Sequence, residues 1–237
     1  MESKDNFYKS YSQFGEDLML KSIFAYIFNM DLKNLKYVDI GANFPITISN
    51  TFNLYENGGS GILVEPNPSF LPLYSLERPR DIVISAGIKF KDGADEVLYY
   101  DFGYYAIGLN TFSEERKNEV EKQHKLVKTR KMPLIDINDV FSKMEYIDFV
   151  SLDVEGVELE ILKTIDFSNK KLRPKLFCVE ANKTEIECGY KSELTLFMNS
   201  NDYIMVADNF TNVFYADLSQ IKANPNFPIY HNGKLFD

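Results

Sequence analysis

The sequence has little of what small secreted or metal-bound domains depend on: two cysteines, two histidines and no tryptophan among 237 residues. Cys178 and Cys188 form neither a disulfide framework nor a zinc-ligand pattern. No apolar run approaches the roughly 20 residues of a membrane helix, and the N-terminus lacks the apolar core of a signal peptide. These absences argue against a secreted or membrane-inserted protein and predict a cytoplasmic one.

Basic residues are also scarce. The chain has 26 lysines and arginines against 35 acidic residues, a net charge of −9, so we expect no nucleic-acid partner. The hydrophobic content of 45% suits an ordinary globular core, and no internal repeat or Pro/Gly-rich linker divides the chain. We therefore predict one domain over residues 1–237, and both a monomer and a homo-oligomer are compatible with this composition.

Short apolar runs alternate with helical or irregular stretches. This alternation predicts an α/β, Rossmann-like fold, with a mostly parallel central sheet and helices on both faces. Turn-forming residues separate the last two runs, which predicts an antiparallel hairpin at the C-terminal edge. An amphipathic helix is expected before the first run, at about 13–29. The predicted strands are Tyr37–Ile40, Gly61–Glu65, Ile82–Lys89, Val97–Asp101, Ile147–Asp153, Leu176–Ala181, Tyr203–Ala207 and Val213–Ala216.

Acidic side chains stand at the ends of predicted strands, where open α/β sheets bind ligands. The turn Asp39–Gly41 and the carboxylate of Glu65 one strand later suit a nucleoside and its ribose. The turn continues Gly41-Ala-Asn-Phe-Pro-Ile46, with bulky residues where a dinucleotide-binding loop reads G-x-G-x-x-G. This favours S-adenosylmethionine, which carries no phosphate, over NAD or FAD. Pro45 is expected in the first turn of a following helix.

A polar stretch, Ser113–Leu126, begins with a helix cap and an acidic first turn but is polar nearly all round. It predicts either a solvated surface helix or a mobile cover over the ligand site. The aromatic cluster Tyr99–Tyr105 precedes it. Tyr104 and Tyr105 are candidate contacts to a sugar ring, although an edge strand and its turn also use such residues.

Sequence blocks in a fixed order connect these features: Tyr11–Leu18, Val38–Asn43, Leu63–Pro68, Gly108–Phe112 and Asp148–Leu162. Together they resemble the FkbM-type methyltransferases, a class I group that uses S-adenosylmethionine and largely methylates hydroxyls of sugars or polyketides. The chain departs from many members at Pro45, where they carry a second glycine. A subgroup with a proline in this turn is closer to it.

The resemblance implies a class I methyltransferase fold and assigns roles by matching position. Glu65 would hold the ribose, and Gln13 would reach the cofactor or the substrate. Ser85 and Ala86 would lie near the adenine, and the methionine end would be lined by Asp39, Gly41 and Asn43. The domain would then divide into an N-terminal helix (about 13–29), a cofactor half (about 37–101), a lid or acceptor region (about 102–132) and a catalytic C-terminal half (about 133–237).

Methyl transfer to a hydroxyl requires an aligned acceptor and a way to remove its proton. Asp153 and Glu155 alternate at one strand end, so both carboxylates can face one cavity, and Glu180 and Asn182 repeat this pattern on the next strand. One reading makes Asp153, Glu155 or Glu180 catalytic acid–base groups. Another has Mg²⁺ held by Asp153, Glu180 and Asn182, which resemble the strand-end triad of metal-dependent O-methyltransferases. Asn182 is also a candidate substrate contact. Helix capping near Gly156 is a third role open to these acids.

The leading prediction is therefore an S-adenosylmethionine-dependent O-methyltransferase that acts on a sugar of a surface polysaccharide or of a nucleotide-linked precursor. A NAD-dependent sugar-modifying oxidoreductase would share the sheet and the ribose acid, but the missing glycines and the lack of a suitable Tyr-x-x-x-Lys pair disfavour it. A catalytically silent binding module on the same fold is a further alternative.

Overall fold

The computed structural model describes residues 9–90, 94–103, 106, 109–154 and 156–221, together with the backbone of 230–231 and 234–235. The strands are β1 (Lys36–Ile40), β2 (Ser60–Val64), β3 (Ile82–Ile84), β4 (Gly87–Ile88), β5 (Glu96–Asp101), β6 (Lys128–Ile135), β7 (Phe149–Leu152), β8 (Leu176–Glu180), β9 (Tyr203–Asp208), β10 (Asn212–Asp217), β11 (Tyr230–His231) and β12 (Lys234–Leu235). The helices are α1 (Glu16–Ile27), α2 (Phe52–Glu56), α3 (Leu71–Glu77), α4 (Glu114–Val120), α5 (Ile137–Ser142), α6 (Glu158–Leu162), α7 (Lys183–Cys188) and α8 (Glu193–Ser200).

A seven-stranded sheet in the order β3-β2-β1-β7-β8-β10-β9 forms the centre. The first five strands of this order run parallel, and β10 pairs antiparallel with both β8 and β9. The predicted α/β class, mostly parallel sheet and C-terminal antiparallel hairpin are confirmed. Because parallel strands are joined by crossovers, their carboxyl ends meet at one edge.

The two faces of the sheet bury separate apolar clusters. Along β1, Tyr37 packs into the cluster that holds Leu20 and Phe24 of α1, whereas Val38 packs into the cluster on the opposite face. That second cluster contains residues of α5, α6 and α8. Since successive side chains of a strand point to opposite faces, Tyr37 and Val38 are buried on opposite sides of the sheet, and β1 lies in its middle with four of its five residues buried.

A second, smaller sheet in the order β4-β6-β5 lies beside the first. The predicted strand Ile82–Lys89 was wrong as a single element, because the chain leaves the main sheet after Ile84 and β4 joins this second sheet. The prediction also missed β6. Its sequence, Lys-Thr-Arg-Lys-Met-Pro-Leu-Ile, is charged over its first half and half-exposed, so it lacks the apolar run of a central strand.

Two helix predictions near the ligand-binding edge need correction. Pro45 does not open a helix: the chain turns irregularly after Gly41, and the next helix begins at Phe52. The polar helix is shorter than Ser113–Leu126 and spans α4, where Ser113 Oγ caps the N–H of Arg116 at 3.2 Å. Among the described residues, no helix is long and apolar enough to cross a membrane.

A fully buried arginine, Arg78 at the end of α3, fastens the irregular loop after β1 to the sheet. Its Nε donates to Asp81 at 2.7 Å, and Nη2 donates to Tyr37 at 3.1 Å and to Thr51 at 3.0 Å. Nη1 reaches Ser49 at 3.3 Å. The side chains of Arg78 and Asp81 are both 0% exposed. A charge buried this deeply is tolerable only when it is paired and hydrogen-bonded, so the pair and the loop depend on each other.

Replacing Arg78 with methionine should therefore lower the free energy of unfolding by about 3–5 kcal/mol, since it leaves Asp81 buried without its partner. Urea denaturation measures this loss. Arg116→Met is the matched control, because its pair with Glu119 is half-exposed and should contribute less than about 1 kcal/mol. Equal stability losses in the two variants would show that the buried network does not hold the loop.

Candidate active site

A cavity of about 380 Å³ opens at the carboxyl edge of the parallel strands. The ends of β1, β2, β7 and β8 form its floor, while the segment before α1 and the turn before β10 close one side. Phe112 and its neighbours after β5 close another side. The cavity brings together most of the predicted site residues: Gln13, Asp39, Gly41, Asn43, Glu65, Ala86, Asp153 and Glu180.

The turn after β1 passes directly over the end of β7. Gly41 has φ +81°, and its N–H donates to Val64 at 2.9 Å. The N–H of Asp153 donates to Ile40 at 3.0 Å, which brings the two chain segments together. A Cβ on Gly41 would lie 1.7 Å from the carbonyl oxygen of Asp153. Both the positive φ and this contact require glycine, so the turn can approach a ligand through its backbone.

Glu65 forms the adjoining wall and is only 5% exposed. Oε2 accepts the N–H of Asn43 at 2.9 Å, and Oε1 accepts the N–H of Asn67 at 2.6 Å. Burial raises the pKa of Glu65 to about 7, although the two backbone hydrogen bonds oppose this shift. Each carboxylate oxygen retains lone-pair capacity for a further donor. The carboxylate is thus held in place beside the turn and can receive two hydroxyls.

Asn43 joins this turn to the helix behind it. Its φ is +52°, a left-handed conformation that asparagine tolerates better than most residues. The hydroxyl of Tyr74 donates to its carbonyl at 2.8 Å. The side-chain Oδ1 is buried and has no hydrogen-bond partner among the described residues. This oxygen in the cavity wall is suited to accept a hydrogen bond from a ligand.

Asp39 lies one residue before the end of β1 and is 4% exposed. Its Oδ2 accepts the Thr51 hydroxyl at 2.5 Å, and Thr51 in turn is held by Arg78. Burial raises the pKa of Asp39 above its ordinary value, with the hydrogen bond from Thr51 acting in the opposite direction. The buried arginine network therefore fixes the orientation of a carboxylate in the cavity.

Asp153 and Glu180 form the acidic end of the cavity. Asp153 directly follows β7, and Glu180 is the last residue of the neighbouring strand β8. Glu158, the first residue of α6, stabilises the turn before that helix, because its Oε1 accepts the N–H groups of Val154 at 3.0 Å and of Gly156 at 3.1 Å. The prediction for Glu155 lies outside the described residues, and a helix-capping role for Asp153 or Glu180 stays a prediction.

Other predicted residues lie elsewhere. Asn182 is exposed, lines a neighbouring pocket and caps α7, accepting the N–H of Glu185 at 3.0 Å. Ser85 is not one of the described residues that line the cavity. The predictions for Tyr104 and Tyr105 fall on residues that the structure does not describe. Across the described ranges, no group of three or more His, Cys, Asp or Glu residues is arranged to hold a metal ion.

The residues of the cavity that the sequence analysis missed include two polar ones, Glu16 at the start of α1 and Asn212 at the start of β10. Glu16 belongs to the leading block Tyr11–Leu18, so the resemblance contained a signal for it. No sequence signal marked Asn212, because the pattern around it is typical of a polar turn between two strands.

Comparison with known proteins identifies the family. Residues 39–205 match the model of the methyltransferase FkbM domain. The chain belongs to this family. The match spans the turn after β1, Glu65, Asp153 and Glu180, so all of these lie inside the family domain. The protein is an S-adenosylmethionine-dependent methyltransferase, which decides against the oxidoreductase and the silent module considered above. No curated protein sequence matches the chain.

The chain is also similar to solved structures of low sequence identity, among them two methyltransferases and a fibrillarin. Precorrin-6y C5,15-methyltransferase from Geobacter metallireducens is 12% identical, with coverage of 90% of each chain and a TM-score of 0.41. The 1,6-didemethyltoxoflavin-N1-methyltransferase from Burkholderia thailandensis, solved with S-adenosylhomocysteine, is 11% identical, with coverage of 85% and 76% and a TM-score of 0.42. Fibrillarin from Aeropyrum pernix, with bound S-adenosylmethionine, is 11% identical, with coverage of 84% and 74% and a TM-score of 0.40.

Gly41→Ala should lower the free energy of unfolding by about 3 kcal/mol or more, because the new Cβ meets the Asp153 carbonyl as well as an unfavourable φ. Urea denaturation measures the loss. Gly15→Ala is the control, since Gly15 has φ +83° but no atom within 4 Å of a built Cβ, and should cost about 1–2 kcal/mol. If both variants lose the same stability, the close approach at Gly41 contributes nothing.

Proposed function

We propose that this methyltransferase transfers the methyl group of S-adenosylmethionine to a hydroxyl of a sugar, in a surface polysaccharide or in a nucleotide-linked precursor. The observation that carries this proposal is the pair Asp153 and Glu180, whose residues line the same cavity as Glu65. A hydroxyl is a weak nucleophile that must lose its proton, and a carboxylate beside it can take that proton. The cytoplasmic location remains a prediction.

The cofactor would occupy the side of the cavity nearest β1 and β2. Glu65 would accept the two ribose hydroxyls through the lone pairs that its backbone partners leave available. Asp39, Gly41 and Asn43 would line the methionine end, and Asn43 Oδ1 supplies an acceptor for an ammonium group. Ala86 would contact the adenine. When bound, S-adenosylmethionine supplies an electrophilic methyl group on a sulfonium.

Asp153 is our candidate for the general base. Its backbone lies against Gly41, so this residue stands next to the methionine end of the proposed cofactor position. Glu180 is the last residue of the neighbouring strand β8 and adds a second carboxylate to the same end. Glu155 remains a predicted partner. A Mg²⁺ ion bound by Asp153 and Glu180 would be another way to promote loss of the acceptor proton. The predicted ligand set Asp153, Glu180 and Asn182 has no support, however, because Asn182 caps α7 and lines a neighbouring pocket.

The binding of S-adenosylmethionine should strengthen as pH rises through about 7. Below the pKa of Glu65 the carboxyl is protonated and accepts hydroxyls poorly, whereas above it both oxygens accept. The affinity should increase about tenfold between about pH 6 and pH 8, following the ionised fraction. Calorimetric titration across this range measures the profile.

Glu65→Gln should remove this pH dependence and weaken binding, while Glu77→Gln on the exposed surface of α3 should keep the profile of the natural protein. A Glu65→Gln variant with unchanged affinity and an unchanged pH profile would remove Glu65 from the cofactor site.

Asp153→Asn should abolish most turnover and leave cofactor binding intact, because the amide cannot take a proton. We expect a loss of at least about 100-fold in kcat. Mass spectrometry of envelope glycans, in cells lacking the gene and complemented with each variant, measures methylation. The control is Asp139→Asn, an exposed carboxylate of α5.

Full glycan methylation by Asp153→Asn would contradict the base assignment. Exhaustive chelation of the purified enzyme distinguishes the general base from the metal ion. Activity that persists argues for the carboxylate alone, whereas activity that is lost and then restored by Mg²⁺ argues for the metal. If loss of the gene changes no glycan methylation, the proposal that the acceptor is a sugar is wrong.

A further inference from the structure

A third buried carboxylate, besides Asp39 and Glu65, lines the cavity from the N-terminal helix. Glu16 is 1% exposed and sits in the first turn of α1. Its Oε1 accepts from Asn209 at 2.8 Å and from Asn212 at 2.9 Å, and its Oε2 accepts the N–H of Phe14 at 2.9 Å. These contacts tie the segment before α1 to the β9–β10 hairpin and hold the carboxylate in one orientation.

The orientation of Asn212 follows from this carboxylate. Its Nδ2 donates to Glu16 and to Thr211 Oγ1 at 3.0 Å. Turning the amide over would place Oδ1 against a carboxylate, which is repulsive, so Oδ1 must face the other way. Asn212 is 6% exposed and lines the cavity, and its Oδ1 has no hydrogen-bond partner within the described ranges. A buried acceptor left unpaired is destabilising, and a ligand that donates a hydrogen bond to it would remove this penalty.

The position of Asn212 in the sheet assigns this acceptor to the substrate side. Asn212 is paired with Glu180 across β10 and β8. From Glu65, which follows β2, the sheet order crosses β1, β7 and β8 before it reaches β10. At a strand spacing of about 4.8 Å these four steps cover about 19 Å, so Asn212 lies at the far end of the site from the proposed ribose position.

Two exposed aromatic rings belong to the segments that form this wall, although neither ring is among the described residues that line the cavity. Phe14 is 44% exposed and Phe210 is 83% exposed, and their ring centroids are 6.0 Å apart with the planes at 65°. They belong to the same two segments that Glu16 ties together. Exposed apolar rings beside a buried hydrogen-bond acceptor match a ligand with one apolar C–H face and hydroxyls along its edge. A pyranose ring has this character.

We propose that Asn212 Oδ1 accepts a hydrogen bond from a second hydroxyl of the sugar acceptor, one that is not methylated, with Phe14 and Phe210 contacting the ring face. Glu16 is a positioning residue that fixes the Asn212 amide. This inference rests on the proposed function and makes Asn212 a specificity determinant. The acceptor side of the site is then built by the N-terminal segment and the β9–β10 hairpin, not only by the predicted region at about 102–132.

The test uses the purified full chain, radiolabelled S-adenosylmethionine and a panel of UDP-hexoses and methyl hexosides. For a sugar that the natural protein methylates, Asn212→Leu should raise KM about tenfold or more, while the affinity for S-adenosylmethionine stays unchanged and the variant remains folded at the assay temperature. The exposed Asn199→Leu on α8 is the matched control. Glu16→Gln should also raise KM more than it lowers kcat, because it frees the Asn212 amide to turn over.

Monodeoxy analogues of that sugar identify the recognised hydroxyl. One analogue should lose about tenfold in kcat/KM with the natural protein and nothing further with Asn212→Leu, because the two changes remove the same hydrogen bond. Equal losses for every analogue with both proteins, or an unchanged KM in Asn212→Leu, would overturn the Asn212 assignment while the sugar methyltransferase stands. Methylation of no sugar, with turnover on another acceptor class, would overturn both.

Discussion

The ends of β1 and β7 approach so closely that only a hydrogen atom fits between the Gly41 α-carbon and the Asp153 carbonyl. This contact sets the geometry of the whole site. It places the turn after β1, which we propose binds the cofactor, next to the carboxylate that we propose takes the acceptor proton. The Arg78 network supports it from behind, since the same loop that follows Gly41 is fastened through Ser49 and Thr51.

Carboxylates collect in this cavity although the chain carries a net charge of −9. Asp39, Glu65 and Glu16 are all buried, and each accepts hydrogen bonds from hydroxyl, amide or backbone donors. Burial raises the pKa of Asp39 and of Glu65. Such a site favours a cationic ligand, because a positive charge stabilises the ionised form of each acid. S-adenosylmethionine carries a sulfonium and an ammonium and meets this requirement.

Much of the fold could be predicted from local patterns. Most residues of the central strands are apolar, and the acids Asp39, Asp153 and Glu180 lie at or next to their carboxyl ends, so the mostly parallel sheet and its ligand-binding edge followed from the sequence. The order of the strands was not predicted. The second sheet was not predicted, because the first half of β6 is charged and this strand pairs outside the central sheet. The prediction of a helix at Pro45 was wrong because proline is favoured at the first position of a helix but does not require a helix to begin there.

Features that rest on long-range pairing were beyond sequence reasoning. Asn212 and Glu16 are separated by 196 positions, and Arg78 reaches Tyr37 across 41. Nothing local in either stretch marks these side chains as partners, since a polar turn and a basic helix end are ordinary surface patterns. Only the assembled sheet shows that the N-terminal helix and the β9–β10 hairpin share one wall of the cavity.

We propose that one cavity holds the cofactor at its β1–β2 side and the acceptor beyond Asp153. A crystal structure of the protein with S-adenosylhomocysteine tests this arrangement. We predict both ribose hydroxyls within hydrogen-bond distance of Glu65, the amino-acid end along Asp39–Asn43, and the sulfur directed toward Asp153. A ribose bound away from Glu65, or an amino-acid end lying against Asn212, would contradict it.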